Sequence, residues 1–429
     1  MKSIFKKIIL YIITLEAKLV LLRHKPIIIG VTGNLGKTTT KDSIAAVLKD
    51  NSVRYTKKSM NSDFGAPLTI LGQNSGWNSA SKWIRIITHG AGQIFSKSYP
   101  KILVLEIGAD YKGEIEKLSK WIKIDIGVMT QFAEVPVHIE NFANREELIA
   151  EKEYMVKSIK RGGTFIYNSD CADSSAMAGR VSENSKNIEI VSFGKKSGDV
   201  RAHVIIDDAK NKKVKSQVIY KNKNYNIECD GVLGEAAILS VLPAFVIGQK
   251  FGVDSKAILA NIKTSYRTPG RMRVLDGKNN TVIIDDSYNS SPLAVMNGLK
   301  TVGDTNVIGR KIVMLADMLE LGEYTKDEHL KIGKEAARVA HILVTVGNRA
   351  RFIAEGALNN GMNEGWILEC DDSESAGREV LGILKSGDLV YIKGSQSMRM
   401  ERATKILLEE HVNTKTELAR QEDEWINTK

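Results

Sequence analysis

The stretch of sequence that decides the fold is residues 26–40, which reads PIIIGVTGNLGKTTT. Residues 27–31 are mostly β-branched and bounded by proline and glycine, which is typical of a buried parallel strand. Residues 41–49 have the apolar spacing of a helix. A strand, a glycine-rich loop and a helix in this order predict a phosphate-binding loop, because glycines let backbone N–H groups surround phosphate oxygens and the helix N-terminus adds positive charge.

Two side chains of this loop have the chemistry of a nucleoside triphosphate site. Lys37 supplies a positive charge for the β- and γ-phosphates, and the Thr38 hydroxyl is placed to ligate Mg²⁺. The strict GxxxxGK[ST] pattern is not met, because Val31 stands where its first glycine would be. The residues predicted to bind the nucleotide here are Thr32, Gly33, Asn34, Gly36, Lys37, Thr38 and Thr39.

Composition limits the class of protein. At about 150 residues per domain, 429 residues suggest two or three domains, and 43% hydrophobic content excludes a disordered chain. Cys171, Cys229 and Cys370 lie far apart without a CxxC motif, so the sequence supports neither a disulfide framework nor a zinc knuckle, and a reducing cytosol is expected. The net charge of +10 suits a membrane surface or an anionic substrate, and nucleic acid is least favoured.

Residues 1–25 predict a helix with basic ends that is apolar around most of its circumference. The apolar run at residues 8–15 is too short to span a membrane, which takes about 20 residues. A signal peptide is disfavoured because no small-residue cleavage site follows. Two interpretations stay open: the helix packs against its own protein or a partner, or it lies in a membrane interface.

Five stretches resemble the Mur ligases, the ATP-dependent amide-bond ligases of peptidoglycan synthesis. TGNLGKTTTK resembles their ATP loop, which also begins with Thr-Gly. NSDFGAPLT at residues 61–69 is similar to a segment of the branch that adds D-alanyl-D-alanine. Three further stretches resemble motifs of the same branch: DDSYNSSP at residues 285–292, DMLELG at 317–322 and KGSQSMRMER at 393–402. The resemblance covers roughly residues 26–410.

The resemblance implies an α/β fold with two substantial domains. Residues 26–268 are expected to form a central ATPase domain with the phosphate loop on a parallel sheet, preceded by the helix of residues 1–25. Residues 269–429 are expected to form a C-terminal Rossmann-like α/β domain. The boundary is set near Pro269, because YRTPGR places proline and glycine after a helical segment.

A set of catalytic and metal-binding residues is expected beside the phosphate-binding loop. Glu106 ends a predicted strand, and a carboxylate at that edge of a parallel sheet faces the crevice where α/β proteins bind ligands. By resemblance, Glu106 and His138 carry over as Mg²⁺ ligands beside Thr38. Lys152 matches a family lysine that is carbamylated in several members. The catalytic set is therefore Lys37, Glu106, His138 and Lys152.

The other side of the nucleotide is expected to come from the C-terminal domain. Arg271 matches the arginine of a PGR motif that contacts ATP in the family. Asp286 is the expected contact on the ribose or phosphate side, with Tyr288 and Asn289 beside it.

The sequence departs from the family at two places. Family members usually have GxHNxxN before a helix, and here Ala236 and Ala237 replace the His and Asn that help hold the nucleotide. Only 25 residues precede the first strand, which leaves no room for the N-terminal UDP-binding domain of the family. Recognition of UDP is therefore expected to be lost, relocated or supplied by a partner.

The implied reaction is activation of a carboxylate by ATP and Mg²⁺ as an acyl phosphate, followed by attack of an amine. The expected acceptor is a muramoyl peptide, and the expected amine is an amino acid or dipeptide such as D-alanyl-D-alanine. The alternatives are a Mur-like ligase with a different or lipid-linked acceptor, and a nucleotide-binding scaffold with reduced turnover. The expected location is the cytoplasm, with the inner face of the membrane left open by residues 1–25.

Overall fold

A computed structural model describes residues 2–56, 63–77, 79–183, 187–265, 268–422 and 425. Residues 61, 62, 266 and 267 of the motifs quoted above lie outside this part of the chain. The described residues form an α/β structure with a nine-stranded sheet followed by a six-stranded sheet. The α/β class, with a phosphate-loop sheet and a second α/β sheet, is thus confirmed.

The nine-stranded sheet carries the predicted loop at its centre. Its strands are β1 Ile27–Thr32, β2 Val53–Tyr55, β3 Ile102–Glu106, β4 Ile124–Met129, β5 Ile159–Asn168, β6 Glu189–Gly194, β7 Val200–Asp208, β8 Lys213–Tyr220 and β9 Lys223–Asp230. The order is β2-β3-β1-β4-β5-β6-β7-β8-β9, parallel from β2 to β7 and antiparallel beyond. Strand β1 lies between β3 and β4 and is parallel to both. The loop after β1 therefore opens at the carboxyl edge of these strands, where ligands bind in α/β sheets.

Helices cover this sheet. They are α1 Lys2–His24, α2 Lys37–Val47, α3 Gly65–Leu71, α4 Ala80–Ile94, α5 Glu114–Trp121, α6 Arg145–Lys157, α7 Ala172–Glu183, α8 Glu235–Lys250 and α9 Ser255–Ser265. One apolar core joins α2, α8 and α9 to the sheet, and a second joins α1, α3, α4 and α6 to it. Burial of both faces explains why the central strands are continuous apolar runs.

The six-stranded sheet has the order β10-β11-β15-β12-β13-β14 and is parallel except for β10. Its strands are β10 Arg273–Gly277, β11 Thr281–Asp286, β12 Lys311–Ala316, β13 Ile342–Val346, β14 Ile367–Cys370 and β15 Leu389–Lys393. Its helices are α10 Pro292–Asp304, α11 Thr325–Val339, α12 Arg351–Leu358, α13 Ser373–Ile383, α14 Glu401–Leu407 and α15 Thr414–Glu417. The motifs DDSYNSSP, DMLELG and KGSQSMRMER begin where β11, β12 and β15 end, so they share one edge.

Residues 200–230 alternate apolar and polar side chains and are rich in lysine, a pattern that predicts an antiparallel hairpin with Lys-Asn turns. The structure confirms such a hairpin as β8 and β9. Lys221 and Asn222 connect them, both with positive φ (48° and 58°), which suits a two-residue hairpin turn. Strand β7 pairs in parallel with β6 and antiparallel with β8, so the hairpin extends the sheet instead of standing apart from it.

One face of α1 packs against the protein. Ile9, Ile13, Ala17 and Val20 are buried in the core with α3 and α4, which agrees with the first interpretation for that face. Glu16 is buried beside Gly90 of α4, and burial raises the pKa of its carboxyl to about 7. In the described part of the chain, no helix combines the length and apolar character needed to cross a membrane.

Candidate active site

A cleft of about 2240 Å³ opens between the loops of the two sheets. Small-molecule sites usually occupy 300–1,000 Å³, so this one has room for a nucleotide and further substrates. The predicted residues that line it are Asn34, Gly36, Lys37, Thr38, Thr39, Glu106, His138, Lys152, Arg271, Asp286, Tyr288 and Asn289. Thr32 and Gly33 are absent from its lining, and Thr32 is fully buried at the end of β1.

The loop after β1 is held open by its neighbour β4. Gly33 has φ of +138°, and a Cβ there would lie 2.0 Å from Thr130 Oγ1, so only glycine fits. Thr130 Oγ1 lies 2.5 Å from the Leu35 carbonyl oxygen, and the Asn34 N–H donates to the Gln131 carbonyl at 2.7 Å. The cradle is therefore preformed. Thr130 was missed at the sequence level, because its role depends on the pairing of β1 with β4.

Lys37 begins α2 and points back over the loop. Its Nζ donates to the carbonyl oxygens of Gly33 at 3.0 Å and Asn34 at 3.3 Å. Burial lowers the pKa of Lys37, Glu106 opposes this shift, and Arg271 adds to it. Lys37 therefore lies among the glycines of the loop, within electrostatic reach of groups on both sides of the cleft.

A buried polar cluster joins the loop to β3. Thr38 Oγ1 donates to Glu106 Oε1 at 3.0 Å. Lys41, one helical turn after Lys37, is fully buried, with its Nζ 3.8 Å from Glu106 Oε2 and 3.2 Å from Asp42 Oδ1. Sequence reasoning missed Lys41, although its i, i+4 spacing from Lys37 places both lysines on one helix face.

Lys152 lies on α6 with its side chain buried at the cleft. Burial lowers the pKa of its amine to about 7, with the positive charge of Lys37 acting in the same direction. The neighbouring Glu151 fixes α6 by accepting from the backbone N–H groups of Gly113 at 2.9 Å and Ile115 at 2.6 Å, at the start of α5. Lys152 is thus a buried amine on a firmly positioned helix.

His138 connects the two sides of the cleft. It has φ of +70°, and its Nδ1 lies 2.9 Å from Glu320 Oε2 of the DMLELG motif. Its Nε2 lies 3.3 Å from Asp110 Oδ1, and the hydrogen bond to His138 lowers the pKa of Glu320. The described residues include no group of three or more His, Cys, Asp or Glu side chains suited to a metal ion. Metal ligation by His138 stays a prediction.

The C-terminal side places an arginine at the cleft and neutralises a buried lysine. The Arg271 guanidinium stacks 4.3 Å from the centre of the Tyr288 ring. Lys393 is buried, and its Nζ pairs with Asp286 Oδ2 and donates to the Asn289 carbonyl at 3.0 Å. Asp286 therefore has a protein partner, whereas Arg271 faces the open volume.

The two alanines stand at the start of α8, and only one of them lines the cleft. Ala236 lines the cleft at the start of α8, and Ala237 is buried in the core. The preceding Glu235 forms ion pairs with Lys195 at 2.6 Å and Lys300 at 3.2 Å. Charged groups of this chain thus occupy the wall where the family motif has His and Asn.

Comparison with known proteins agrees with this architecture. Residues 31–248, more than half of the chain, match the family described as the Mur ligase middle domain, and residues 270–396 match the Mur ligase glutamate ligase domain. The chain belongs to the Mur ligase family. It is accordingly an ATP-dependent amide-bond ligase.

Among Mur ligases, the similar proteins include UDP-N-acetylmuramoyl-tripeptide–D-alanyl-D-alanine ligases. That of Bacillus subtilis is 26% identical over 386 residues, covering 89% of this chain and 76% of the relative. The MurF ligase of Thermotoga maritima in complex with ADP has a TM-score of 0.75 and 23% identity, covering 93% of this chain and 83% of that one. MurF from Acinetobacter baumannii has the same TM-score at 20% identity, covering 92% and 80%. The chain spans about three quarters of the length of the Bacillus enzyme.

Proposed function

We propose that this chain ligates D-alanyl-D-alanine, or a similar amine, to the carboxylate of a muramoyl peptide after activating that carboxylate with ATP. The observation that carries the proposal is the cleft itself. It brings the phosphate loop, the Thr38–Glu106 pair and Lys152 together with Arg271 of the C-terminal side. The names of similar proteins such as the UDP-N-acetylmuramoyl-tripeptide–D-alanyl-D-alanine ligases of Bacillus subtilis and Escherichia coli support the choice of substrates.

The residues fit a nucleotide with its metal ion. Thr38 and Glu106 present oxygen atoms, the ligands that Mg²⁺ prefers, and would hold it together with the phosphates and water. When bound, Mg²⁺ supplies charge neutralisation for phosphoryl transfer. Lys37 would exchange its two loop carbonyl partners for phosphate oxygens, and Arg271 would add a second cation from the opposite wall. His138 is the third proposed ligand.

We assign Lys152 as the carbamylation site. Only a neutral amine adds to carbon dioxide, and an amine with a pKa of about 7 is substantially neutral at neutral pH. Its modification would replace a buried, largely neutral amine near Lys37 by a negatively charged carbamate that faces the cleft. Repulsion from Lys37, which lowers the pKa of the amine, would become attraction to the carbamate.

The substrate carboxylate attacks the γ-phosphorus, so that ADP leaves and an acyl phosphate forms. The amine then attacks the acyl carbon, giving a tetrahedral intermediate that expels phosphate and leaves an amide. Positioning and electrostatic stabilisation supply most of the rate in such transfers. Burial between the two sets of loops protects the acyl phosphate from water.

Measurement of phosphate release tests the proposal. UDP-muramoyl tripeptide with D-alanyl-D-alanine is expected to release one phosphate for each amide formed. Turnover only with a lipid-linked muramoyl peptide would move the acceptor to the second candidate, which is favoured by the exposed apolar face of α1 beside the cleft. ATP binding without turnover on either acceptor would make the chain a nucleotide-binding scaffold.

A further inference from the structure

The face of α1 that points away from the protein is unusually apolar. Its exposed side chains follow helical spacing and define what is called here the outer stripe of α1: Ile8, Tyr11, Leu15, Leu19 and Leu22. Tyr11 is 70% exposed and Leu22 is 71% exposed. The stripe therefore lies on the side of α1 opposite Ile13 and Ala17, which are buried against the protein.

Basic residues border this stripe. Lys7 and Lys18 flank it on one side of the helix and Arg23 on the other, and all three are exposed. Helices α1 and α4 contain a single acidic residue, Glu16, and it is buried. The outward surface of these two helices thus combines apolar and positively charged side chains, the pattern of a helix that lies in a lipid interface.

The rest of the chain does not share this charge. Residues 1–101 contain 16 Lys or Arg and 4 Asp or Glu, a difference of +12, whereas the remaining residues contain 45 and 47. The net charge of +10 therefore comes from the part of the chain that includes α1 and α4. Such a surface complements anionic lipid headgroups, which attract basic segments.

The neighbouring helix also carries exposed apolar side chains. Ile84 and Phe95, in and just after α4, are exposed large apolar side chains. His24 at the end of α1 lies 3.0 Å from the Gln93 carbonyl oxygen and stacks on Tyr99, so the two helices are held together at this end. The surface is therefore borne by a fixed pair of helices.

The other end of α1 reaches the cleft. Phe5, Lys6 and Ile9 are among the residues that line the cleft, and Lys6 Nζ lies 5.6 Å from the centre of the Phe64 ring.

We propose that the outer stripe of α1, with its basic border, docks this protein on an anionic lipid surface. Docking in this way brings the mouth of the cleft beside the headgroups, within reach of an acceptor held there.

Vesicle sedimentation with the full chain tests this proposal. The protein is expected to sediment with vesicles that contain about one third phosphatidylglycerol in phosphatidylcholine, and about tenfold less with phosphatidylcholine alone. The double variant Leu15→Glu/Leu22→Glu is expected to lose binding to both, and Lys7→Glu/Lys18→Glu is expected to lose the preference for anionic vesicles. The matched control Ile308→Glu alters a fully exposed apolar residue in the C-terminal half and is expected to bind like the unaltered chain.

Circular dichroism and thermal unfolding would show that each variant is folded, and the assay requires no turnover, so it is independent of the proposed reaction. Equal sedimentation with both vesicle types, or no sedimentation of the unaltered chain, would overturn the proposal. Self-association that Leu15→Glu/Leu22→Glu abolishes, without vesicle binding, would assign the stripe to a second copy of the chain. Vesicle binding that survives both double variants would place the contact elsewhere.

Discussion

The two walls of the cleft are built alike but present different chemistry. The first wall consists of loops at the carboxyl ends of parallel strands in the nine-stranded sheet, and the second wall consists of the corresponding loops of the six-stranded sheet. On the first wall, Lys37 contacts only neutral loop carbonyls, and Lys152 Nζ has no hydrogen bond or ion pair with the described residues. On the second wall, Lys393 is neutralised by Asp286, and Arg271 faces the cleft while stacked on Tyr288. The first wall therefore offers two lysines to an anion, while the buried lysine of the second wall already has a carboxylate partner.

Removal of the loop lysine should have the largest effect. We expect Lys37→Met to lower kcat by about 10²–10³-fold, because it removes a cation that stabilises developing negative charge in the transition state. Phosphate release measures this effect. Lys49→Met, at an exposed site just beyond α2, is the control and should retain activity. A Lys37→Met enzyme with more than a tenth of the normal rate would show that the first wall does not carry the chemistry.

Disruption of the buried pair on the second wall should act on stability. Asp286→Ala leaves Lys393 buried and uncompensated, so we expect a loss of about 3–5 kcal/mol in the free energy of unfolding. The double variant Asp286→Ala/Lys393→Met should recover most of it and should bind ATP within about threefold of the unaltered chain. Urea unfolding and nucleotide titration measure the two quantities. A stable double variant that no longer binds ATP would make Asp286 a direct nucleotide contact.

The depressed pKa of Lys152 predicts a pH dependence of stability. The folded state releases the proton at a pKa of about 7, whereas the unfolded state keeps it up to about 10.5. Between these values the unfolded state binds more protons, so stability from this group rises with pH. In protein kept free of carbon dioxide, where the amine is unmodified, we expect Lys152→Met to lose the part of the gain in unfolding free energy between pH 7 and pH 9 that this lysine supplies. With carbon dioxide present, Lys152→Met should lack the catalytic activity of the unaltered chain.

The exposed Lys157 of the same helix provides the control for Lys152. Lys157→Met should keep both the pH dependence and the activity. An unchanged slope in Lys152→Met would contradict a depressed pKa at this position.

Arginine at position 271 is expected to matter through its shape as well as its charge. Arg271→Lys keeps the charge but loses the planar group that stacks on Tyr288, so we expect KM for ATP to rise by about tenfold with a smaller change in kcat. Initial-rate kinetics separate these parameters. Arg351→Lys, at an exposed site on α12, is the control. An unaltered KM would show that Arg271 does not face the nucleotide.

Removal of the His138–Glu320 contact, which joins the two walls, should have the smallest effect. His138 and Glu320 are partly exposed, and ion pairs of that kind contribute about 0–1 kcal/mol. We expect Glu320→Gln to change the free energy of unfolding by less than about 1 kcal/mol and the turnover by a few-fold at most. A larger loss of turnover, with stability retained, would show that Glu320 holds His138 in its functional position.

Local patterns in the sequence predicted the groups that lie next to one another along the chain. The order of strand, loop and helix located Lys37 and Thr38, and the end of a strand located Glu106. The Lys221–Asn222 turn could be predicted because only the local backbone determines it. For these features the sequence and the structure agree.

Groups that act through distant contacts were not predicted. Thr130 supports the loop only because β4 pairs with β1, and Glu151 positions α6 by capping α5. Arg420 donates to the Tyr288 carbonyl at 3.0 Å, although it lies beyond the stretch that resembles the family. Polar residues of this kind have no local signature, because the partner that gives them a role is chosen by tertiary packing.

The uneven charge of the chain has an electrical consequence. A molecule whose net charge of +10 comes from its first 101 residues is strongly asymmetric, and such a molecule turns in an electric field as well as moving through it. Near an anionic surface, the torque acts before contact and grows as the distance approaches the Debye length, about 8 Å at physiological salt. The molecule would therefore arrive with α1 and α4 foremost, and added salt would reduce the fraction of encounters that have this orientation.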